Sequence, residues 1–277
     1  MRAYIEVRAV SYGLAIGLGI LLTAQMARAA TESERTPPDI AAGATLREML
    51  LFPSPSELVT GLKANGIKLA PVPNLGGKVP APDWAKLAPR TRQFQLGAVL
   101  GYLAFAAATG DMQTIAKCLD GVLAAGEAMG IPKTSRSFTS IAEMRQKILD
   151  KRISDVKVLA ALDELRREAL FDIANRLSPT DVQCILAAGW LRGGALIVAQ
   201  AKSDGDAERL GEFVVRPELI GTIAKISEST GADRSPERSA AVNKMLEIAK
   251  KKKVSRADLN SYAALVETVL KPQAVVK

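Results

Sequence analysis

The segment from Ser178 to Ala201, SPTDVQCILAAGWLRGGALIVAQA, decides the fold of this chain. It opens with the residues that begin a helix. Ser178 is suited to cap the helix, Pro179 to its first position and Asp181 to its third. These signals predict a helix that starts at Ser178 and continues through the apolar residues that follow.

The apolar run within this segment extends from Cys184 to Ala199, and its only charged side chain is Arg192. A helix that is apolar on every side either crosses a membrane or lies at the centre of a helical core. The run has 16 residues, fewer than the roughly 20 needed to cross a bilayer, so we predict a buried central helix. Gly189 and Gly193 lie one turn apart on it and would let another backbone approach closely.

The composition predicts an all-α protein. Among the 277 residues, aromatic side chains make up only 4%, whereas Ala and Leu, both good helix formers, are frequent. A second apolar helix is predicted over residues 92–109, with Gly97 and Gly101 at the same one-turn spacing. We therefore predict a multi-helix bundle around a buried, Gly-rich central helix, with an N-terminal arm.

The first 29 residues have the parts of a bacterial export signal. Arg2 and Arg8 give a positive start, residues 13–24 form an apolar run, and Ala27-Arg28-Ala29 fits the small-x-small pattern of a cleavage site. An uncleaved anchor is the alternative, but a run of twelve residues is too short to span a bilayer. We expect a signal peptide over residues 1–29, a periplasmic or secreted protein, and no transmembrane segment in the mature chain.

Proline-rich sequence divides the rest of the chain. Residues 70–83, APVPNLGGKVPAPD, hold four prolines and are incompatible with regular structure. We therefore predict an N-terminal arm and Pro-rich linker over residues 30–83 and a helical domain over residues 84–277. Within this domain, residues 225–277 hold eleven basic and six acidic side chains, which makes the C-terminal helices its basic part.

Four short motifs together resemble a known group of proteins. They are Pro55-Ser56-Glu57, Leu96-Gly97, Gly110-Asp111 and the Gly-Trp-Leu-Arg-Gly run at residues 189–193. Their combination resembles a group of exported, all-helical bacterial proteins without an assigned function. The resemblance covers about residues 54–201 and implies a helical fold and an exported setting. It brings no catalytic or binding residues, and the basic C-terminal third departs from it.

The chain lacks several residue types and motifs on which many enzymes depend. The chain has no histidine, the commonest general base and metal ligand. Two separated cysteines cannot form a Cys-rich zinc site, and no Gly-rich phosphate loop with its following Lys-Ser or Lys-Thr is present. Dispersed carboxylates lie on helix faces rich in Arg and Lys. We therefore expect a protein without catalysis, metal or cofactor, and without a nucleic-acid partner, and rank an enzyme third among the hypotheses.

Arg192 lies in an apolar helix and must have a partner, because an unpaired buried charge is very costly. It either holds the carboxylate or phosphate of a ligand in an interhelical pocket, or forms a structural ion pair with a nearby helix, for which Glu127 is one partner. The ion pair is the favoured interpretation. Trp190 beside it is the other candidate ligand-binding residue, and its indole N–H needs an acceptor if buried.

Cys118 and Cys184 each lie in a predicted apolar helix. In an oxidising compartment a disulfide between them is one interpretation, and two buried free thiols are the other. Spacing along the chain does not choose between them.

The lysine run Lys250, Lys251, Lys252 and Lys253 ends a predicted helix in the basic region. Cations stabilise a helix C-terminus, but four adjacent charges repel each other, which favours a surface-binding role.

Two hypotheses for the function of the chain follow. The first is an exported helical binding or scaffolding protein that acts on an envelope protein or the anionic envelope surface. The second is a small-molecule or lipid-binding protein with an interhelical pocket near Arg192.

Overall fold

The computed structural model describes residues 54–174, 176–200, 204–229 and 235–271. These residues form ten α-helices and no β-strand, which confirms the predicted all-α fold. The helices are α1 (Pro55–Ala64), α2 (Pro89–Thr109), α3 (Met112–Ala128), α4 (Arg136–Leu149), α5 (Asp155–Ala174), α6 (Pro179–Val198), α7 (Asp204–Val214), α8 (Pro217–Ser229), α9 (Pro236–Ala249) and α10 (Arg256–Leu270). The predicted signal peptide, residues 1–29, and the arm up to residue 53 lie outside the described residues.

The predicted start of the central helix α6 is confirmed. The Ser178 hydroxyl accepts a hydrogen bond from the backbone N–H of Asp181 at 3.2 Å, and the Asp181 carboxylate accepts one from the N–H of Ser178 at 3.3 Å. This reciprocal capping box satisfies two N–H groups that have no partner inside the helix. The same arrangement, with a Glu or an Asp at the third position, begins α1 at Ser54 and α10 at Ser255.

The helix α6 is longer than the apolar run from Cys184 to Ala199. It has 20 residues, so by length and composition it could cross a membrane. An apolar run of 16 residues therefore does not by itself exclude a membrane span. Burial supplies the stronger argument, because 72% of the most apolar stretch of α6 is buried inside the protein. The predicted buried central helix is confirmed on this ground.

The helices α2 and α6 cross at the glycine pairs and make the most extensive interhelical contact of the described residues. A β-carbon on Gly97 would overlap the carbonyl oxygen of Ile185, and one on Gly101 would lie 2.6 Å from the carbonyl oxygen of Gly189. The predicted close contact between the two glycine faces is confirmed. The constraint is weaker on α6, where a β-carbon on Gly189 would lie 3.2 Å from the carbonyl oxygen of Gly97 and one on Gly193 would find its nearest atom at 3.8 Å.

The other helices pack in two groups around this crossing. On one side α3, α4 and α5 follow α2 as successive neighbours, and α1 packs against both α2 and α5. Leu58 and Leu62 of α1 are buried in the same core cluster as α2 and α6. On the other side α8, α9 and α10 are successive neighbours, and α7, α8 and α10 contact α6.

A tight hairpin joins α2 and α3 at Gly110 and Asp111. Gly110 has a φ of 73°, in the left-handed region that glycine adopts readily at a helix end. The Asp111 carboxylate caps α3 by accepting a hydrogen bond from the N–H of Thr114 at 3.0 Å. The turn is thus defined by two adjacent residues whose roles are local.

Two stretches differ from the sequence-based expectation. Residues 70–83 were expected to lack regular structure, but they contain a short 3-10 helix, Leu75–Lys78. In addition, α2 starts at Pro89, three residues before the predicted start.

Candidate functional site

An apolar cavity of about 170 Å³ lies between the helices next to the crossing of α2 and α6. Each helix from α1 to α7 contributes to its wall. Of the 21 described residues that line it, Arg166 is the one with a charged side chain, and the others are apolar, aromatic or glycine. Gly189 and Gly193, which face the crossing, both line the cavity.

Trp190, a predicted ligand-binding residue, lines this cavity. Its indole N–H donates a hydrogen bond to the carbonyl oxygen of Val214 at 3.1 Å, which supplies the acceptor that a buried indole needs. The ring also packs against Phe213, with 6.0 Å between the ring centroids. These contacts hold the indole in place while one part of it faces the cavity.

Arg192, the other predicted ligand-binding residue, is not part of the cavity wall. It forms an ion pair with Glu267 of α10, in which its Nη2 donates to Oε2 at 2.9 Å and its Nη1 donates to Oε1. The guanidinium also lies over the Tyr102 ring, 5.2 Å from the ring centroid. The structural ion pair is therefore the interpretation that fits this geometry. The suggested partner Glu127 was wrong, because Glu127 pairs with Lys133 at 2.8 Å.

Arg166 of α5 was not singled out from the sequence, yet it brings a charge to the cavity wall. Burial lowers its pKa, while the nearby carboxylates of Glu57 and Asp163 act in the opposite direction. The sequence contains a pattern that indicates the position of Arg166 in the cavity wall. Leu162, Leu165, Arg166 and Ala169 are spaced as one face of a helix, and all four line the cavity. An arginine inside an apolar stripe is the pattern that marks this site.

A smaller chamber of about 30 Å³ adjoins the cavity, and both share Leu96, Val122 and Ile141 in their walls. Its polar side chain is that of Ser137, whose hydroxyl donates a hydrogen bond to the carboxylate of Asp172. The two spaces therefore have wall residues in common, and the smaller one lies at the start of α4.

Both cysteines are free and buried. Of the two alternatives left open by the sequence, this arrangement matches the free thiols. The Arg90 guanidinium donates to Cys184 Sγ at 2.8 Å. Burial raises the pKa of the Cys184 thiol to about 11, although the adjacent Arg90 charge opposes this rise. Burial also raises the pKa of Cys118.

The lysine run at the end of α9 is exposed, but its four members are not equivalent. Lys251 pairs with Asp258, and Lys253 pairs with Glu208 at 3.4 Å. In the part of the chain that the structure describes, no ion pair involves Lys250 or Lys252. Any surface-binding role of the run therefore depends mainly on Lys250 and Lys252.

No group of three or more Cys, Asp or Glu side chains that could hold a metal ion occurs among the described residues. Comparison of the chain with protein families, with curated proteins and with solved structures found no match.

Proposed function

We propose that this chain binds a small apolar molecule, or one end of an alkyl chain, in the interhelical cavity, and that it carries out no catalytic step. The observation that carries the proposal is the cavity of about 170 Å³, which has one charged residue among its 21 described lining residues. Cavities of about 150 Å³ lined by Leu, Ile and Phe stay dry and bind benzene. This cavity is of similar size, and all but one of its described lining residues are apolar, aromatic or glycine.

The test uses toluene as a probe without a polar group. Binding to the folded state alone stabilises it, so saturating toluene should raise Tm by a few degrees. Ala104→Leu would place a larger side chain in the cavity wall and should abolish the shift. Ala264→Leu, on the exposed surface of α10, is the matched control and should preserve it. An unchanged Tm of the unaltered chain at saturating toluene contradicts the proposal.

We propose in addition that the protein acts after export to the periplasm or beyond. The charged start, the apolar run and Ala27-Arg28-Ala29 support a cleaved signal peptide over residues 1–29. The intact mass of the protein collected from the periplasmic fraction should match a chain that starts at Ala30. A mass that matches residues 1–277 contradicts the export proposal without affecting the cavity.

A second candidate function is attachment to an anionic envelope surface through the exposed lysine run. Lys250 and Lys252 support it, because a lysine near an anionic membrane gains about 1 kcal/mol. Sedimentation with anionic vesicles at low salt should be weakened by replacing Lys250 and Lys252 with Gln. The matched double replacement of Lys251 and Lys253 removes the same formal charge but from residues that are already paired, and should have a smaller effect. Equal effects of both pairs, or no sedimentation of the unaltered chain, contradict attachment through this run.

A further inference from the structure

We infer that α1 is a lid over the interhelical cavity, and that a ligand enters and leaves when α1 moves away from the other helices. This inference rests on the proposed function and adds the route by which the cavity fills. It follows from how little of α1 is buried, although α1 forms part of the cavity wall.

The helix α1 lies between the cavity and the solvent. Leu58 lines the cavity and is 6% exposed, so it is the residue through which α1 closes this part of the wall. Glu57, Thr60 and Lys63 of the same helix are exposed. Movement of α1 would therefore open the cavity directly to the solvent.

Burial holds α1 less firmly than the other wall helices. Two of its described residues are buried, Leu58 and Leu62, which is the smallest number for any helix from α1 to α7. The backbone N–H of Ser56 donates a hydrogen bond to the Asp163 carboxylate of α5 at 3.3 Å, which is long for such a bond. A segment with few buried apolar contacts opens locally at a lower free energy than the whole fold.

The contact between α1 and α7 is also one that can separate easily. A β-carbon on Gly61 would lie 2.9 Å from Cε2 of Phe213, so α1 reaches this ring with a residue that has no side chain. Phe213 in turn packs against Trp190, which lines the cavity. Because no side chain of Gly61 interlocks with the ring, α1 can leave it without a change of rotamer.

The segment that follows α1 is suited to act as its hinge. Gly66 has a φ of 67°, in the left-handed region that glycine adopts readily. Residues 67–74 after it form neither helix nor strand. Leu75, which is 1% exposed, fixes the chain to the core beyond this segment. A change of backbone angles in the segment would move α1 and leave the crossing of α2 and α6 in place.

The experiment measures by stopped-flow fluorescence how fast bromobenzene enters and leaves the cavity. Bromobenzene is a benzene ring with one bromine, and bromine quenches the fluorescence of an indole that it contacts. Trp190 lines the cavity, whereas Trp84, the second tryptophan of the sequence, does not. Bromobenzene should quench the unaltered chain, and Trp190→Phe should remove most of that quenching.

Leu62→Ala weakens the lid without changing the cavity wall, because Leu62 is buried but does not line the cavity. The association and dissociation rate constants should both rise about tenfold or more. Kd should stay within about twofold, because the replacement favours opening equally with and without the ligand. Leu259→Ala of α10 is the matched control, since Leu259 is also buried and does not line the cavity. It should lower the free energy of unfolding in urea and leave both rate constants unchanged.

A second pair of variants acts on the caps of two helices. The Ser54 hydroxyl caps α1 by accepting a hydrogen bond from the N–H of Glu57 at 3.2 Å, and the Ser255 hydroxyl caps α10 by accepting one from the N–H of Asp258 at 3.2 Å. Ser54→Ala should raise both rate constants by at least about twofold, whereas Ser255→Ala should not change them. Both variants keep every buried side chain, so this comparison does not depend on the folding of Leu62→Ala.

The outcomes separate the lid from the proposed function. Quenching with rate constants that neither Leu62→Ala nor Ser54→Ala changes overturns the lid and leaves the cavity as the binding site. Equal acceleration by the α10 controls also overturns the lid, because entry would then follow a general loosening of the fold. Failure of bromobenzene to quench Trp190 in the unaltered chain overturns the proposed function and this inference together.

Discussion

The carbonyl oxygen of Gly189 lies 2.6 Å from the position that a β-carbon on Gly101 would occupy. At that distance a β-carbon cannot be accommodated unless one of the two helix backbones moves. The crossing of α2 and α6 therefore depends on the absence of a side chain at Gly101. Gly193, on the opposite helix, faces the same crossing with room to spare.

Gly101→Ala and Gly193→Ala should have opposite effects on stability. Ala is favoured over Gly in a helix by about 1 kcal/mol, which both variants gain. In Gly101→Ala, overpacking against backbone should outweigh this gain and give a net loss of about 1–3 kcal/mol. In Gly193→Ala, the nearest atom at 3.8 Å permits the gain to remain. Urea unfolding monitored by circular dichroism measures both, and equal free energies of unfolding would contradict this difference between the two glycines.

The ion pair between Arg192 and Glu267 should also respond unequally to loss of either partner. The side chain of Arg192 is 10% exposed, whereas that of Glu267 is 62% exposed. Glu267→Ala leaves a buried guanidinium without its carboxylate and should cost about 1.5–3 kcal/mol. Arg192→Met leaves a carboxylate that water can solvate, so its cost should stay below about 1 kcal/mol. The double variant measures the coupling free energy between the two side chains. A larger loss of stability in Arg192→Met than in Glu267→Ala would contradict this prediction.

Local features of this fold are predictable from the sequence because their partners are a few residues away. Capping residues such as Ser178 and Asp181 bond to each other within one turn. The glycine pairs are predictable for a different reason. Glycine weakens an isolated helix, so its repetition at one-turn spacing points to a packing requirement.

Features that depend on distant segments are not predictable in this way. Glu267 lies 75 residues from Arg192, and their pairing requires that α10 pack against α6. The cavity is formed by seven helices, so no single stretch encodes it, although the arginine in the apolar stripe of α5 does carry a signal. In α7, Gly205 and Gly211 lower the helix propensity, whereas the buried Ala207 and Leu210 belong to the core that other helices complete.

The two cysteines should behave as unreactive free thiols in the native protein. Because burial raises the pKa of Cys184 to about 11 and also raises that of Cys118, little thiolate forms near neutral pH. N-ethylmaleimide should add slowly to the native chain and should add twice after unfolding without reductant. Mass spectrometry counts the adducts. An unfolded, unreduced chain that takes up none contains a disulfide between Cys118 and Cys184.

The start of α10 should contribute stability that depends on acid pH. A hydrogen bond from Lys251, together with those from the N–H and the hydroxyl of Ser255, lowers the pKa of Asp258 from 3.8 to about 2. Because the pKa is lower in the folded state, the ionised carboxylate stabilises the fold above about pH 4, and this contribution is lost as the pH falls toward about 2.

Replacement of Lys251 tests this linkage, because the lysine is the largest cause of the shift. In Lys251→Gln the pKa of Asp258, followed by carbon NMR of its carboxyl group, should rise toward its usual value of 3.8. Lys252→Gln is the control, since Lys252 adjoins Lys251 but has no part in the Asp258 shift. In Asp258→Asn the loss of stability between about pH 4 and 2 should be smaller than in the unaltered chain. If Lys251→Gln and Lys252→Gln shift the Asp258 pKa equally, general surface charge rather than the specific Lys251 contact sets it, and the paired state of Lys251 is wrong.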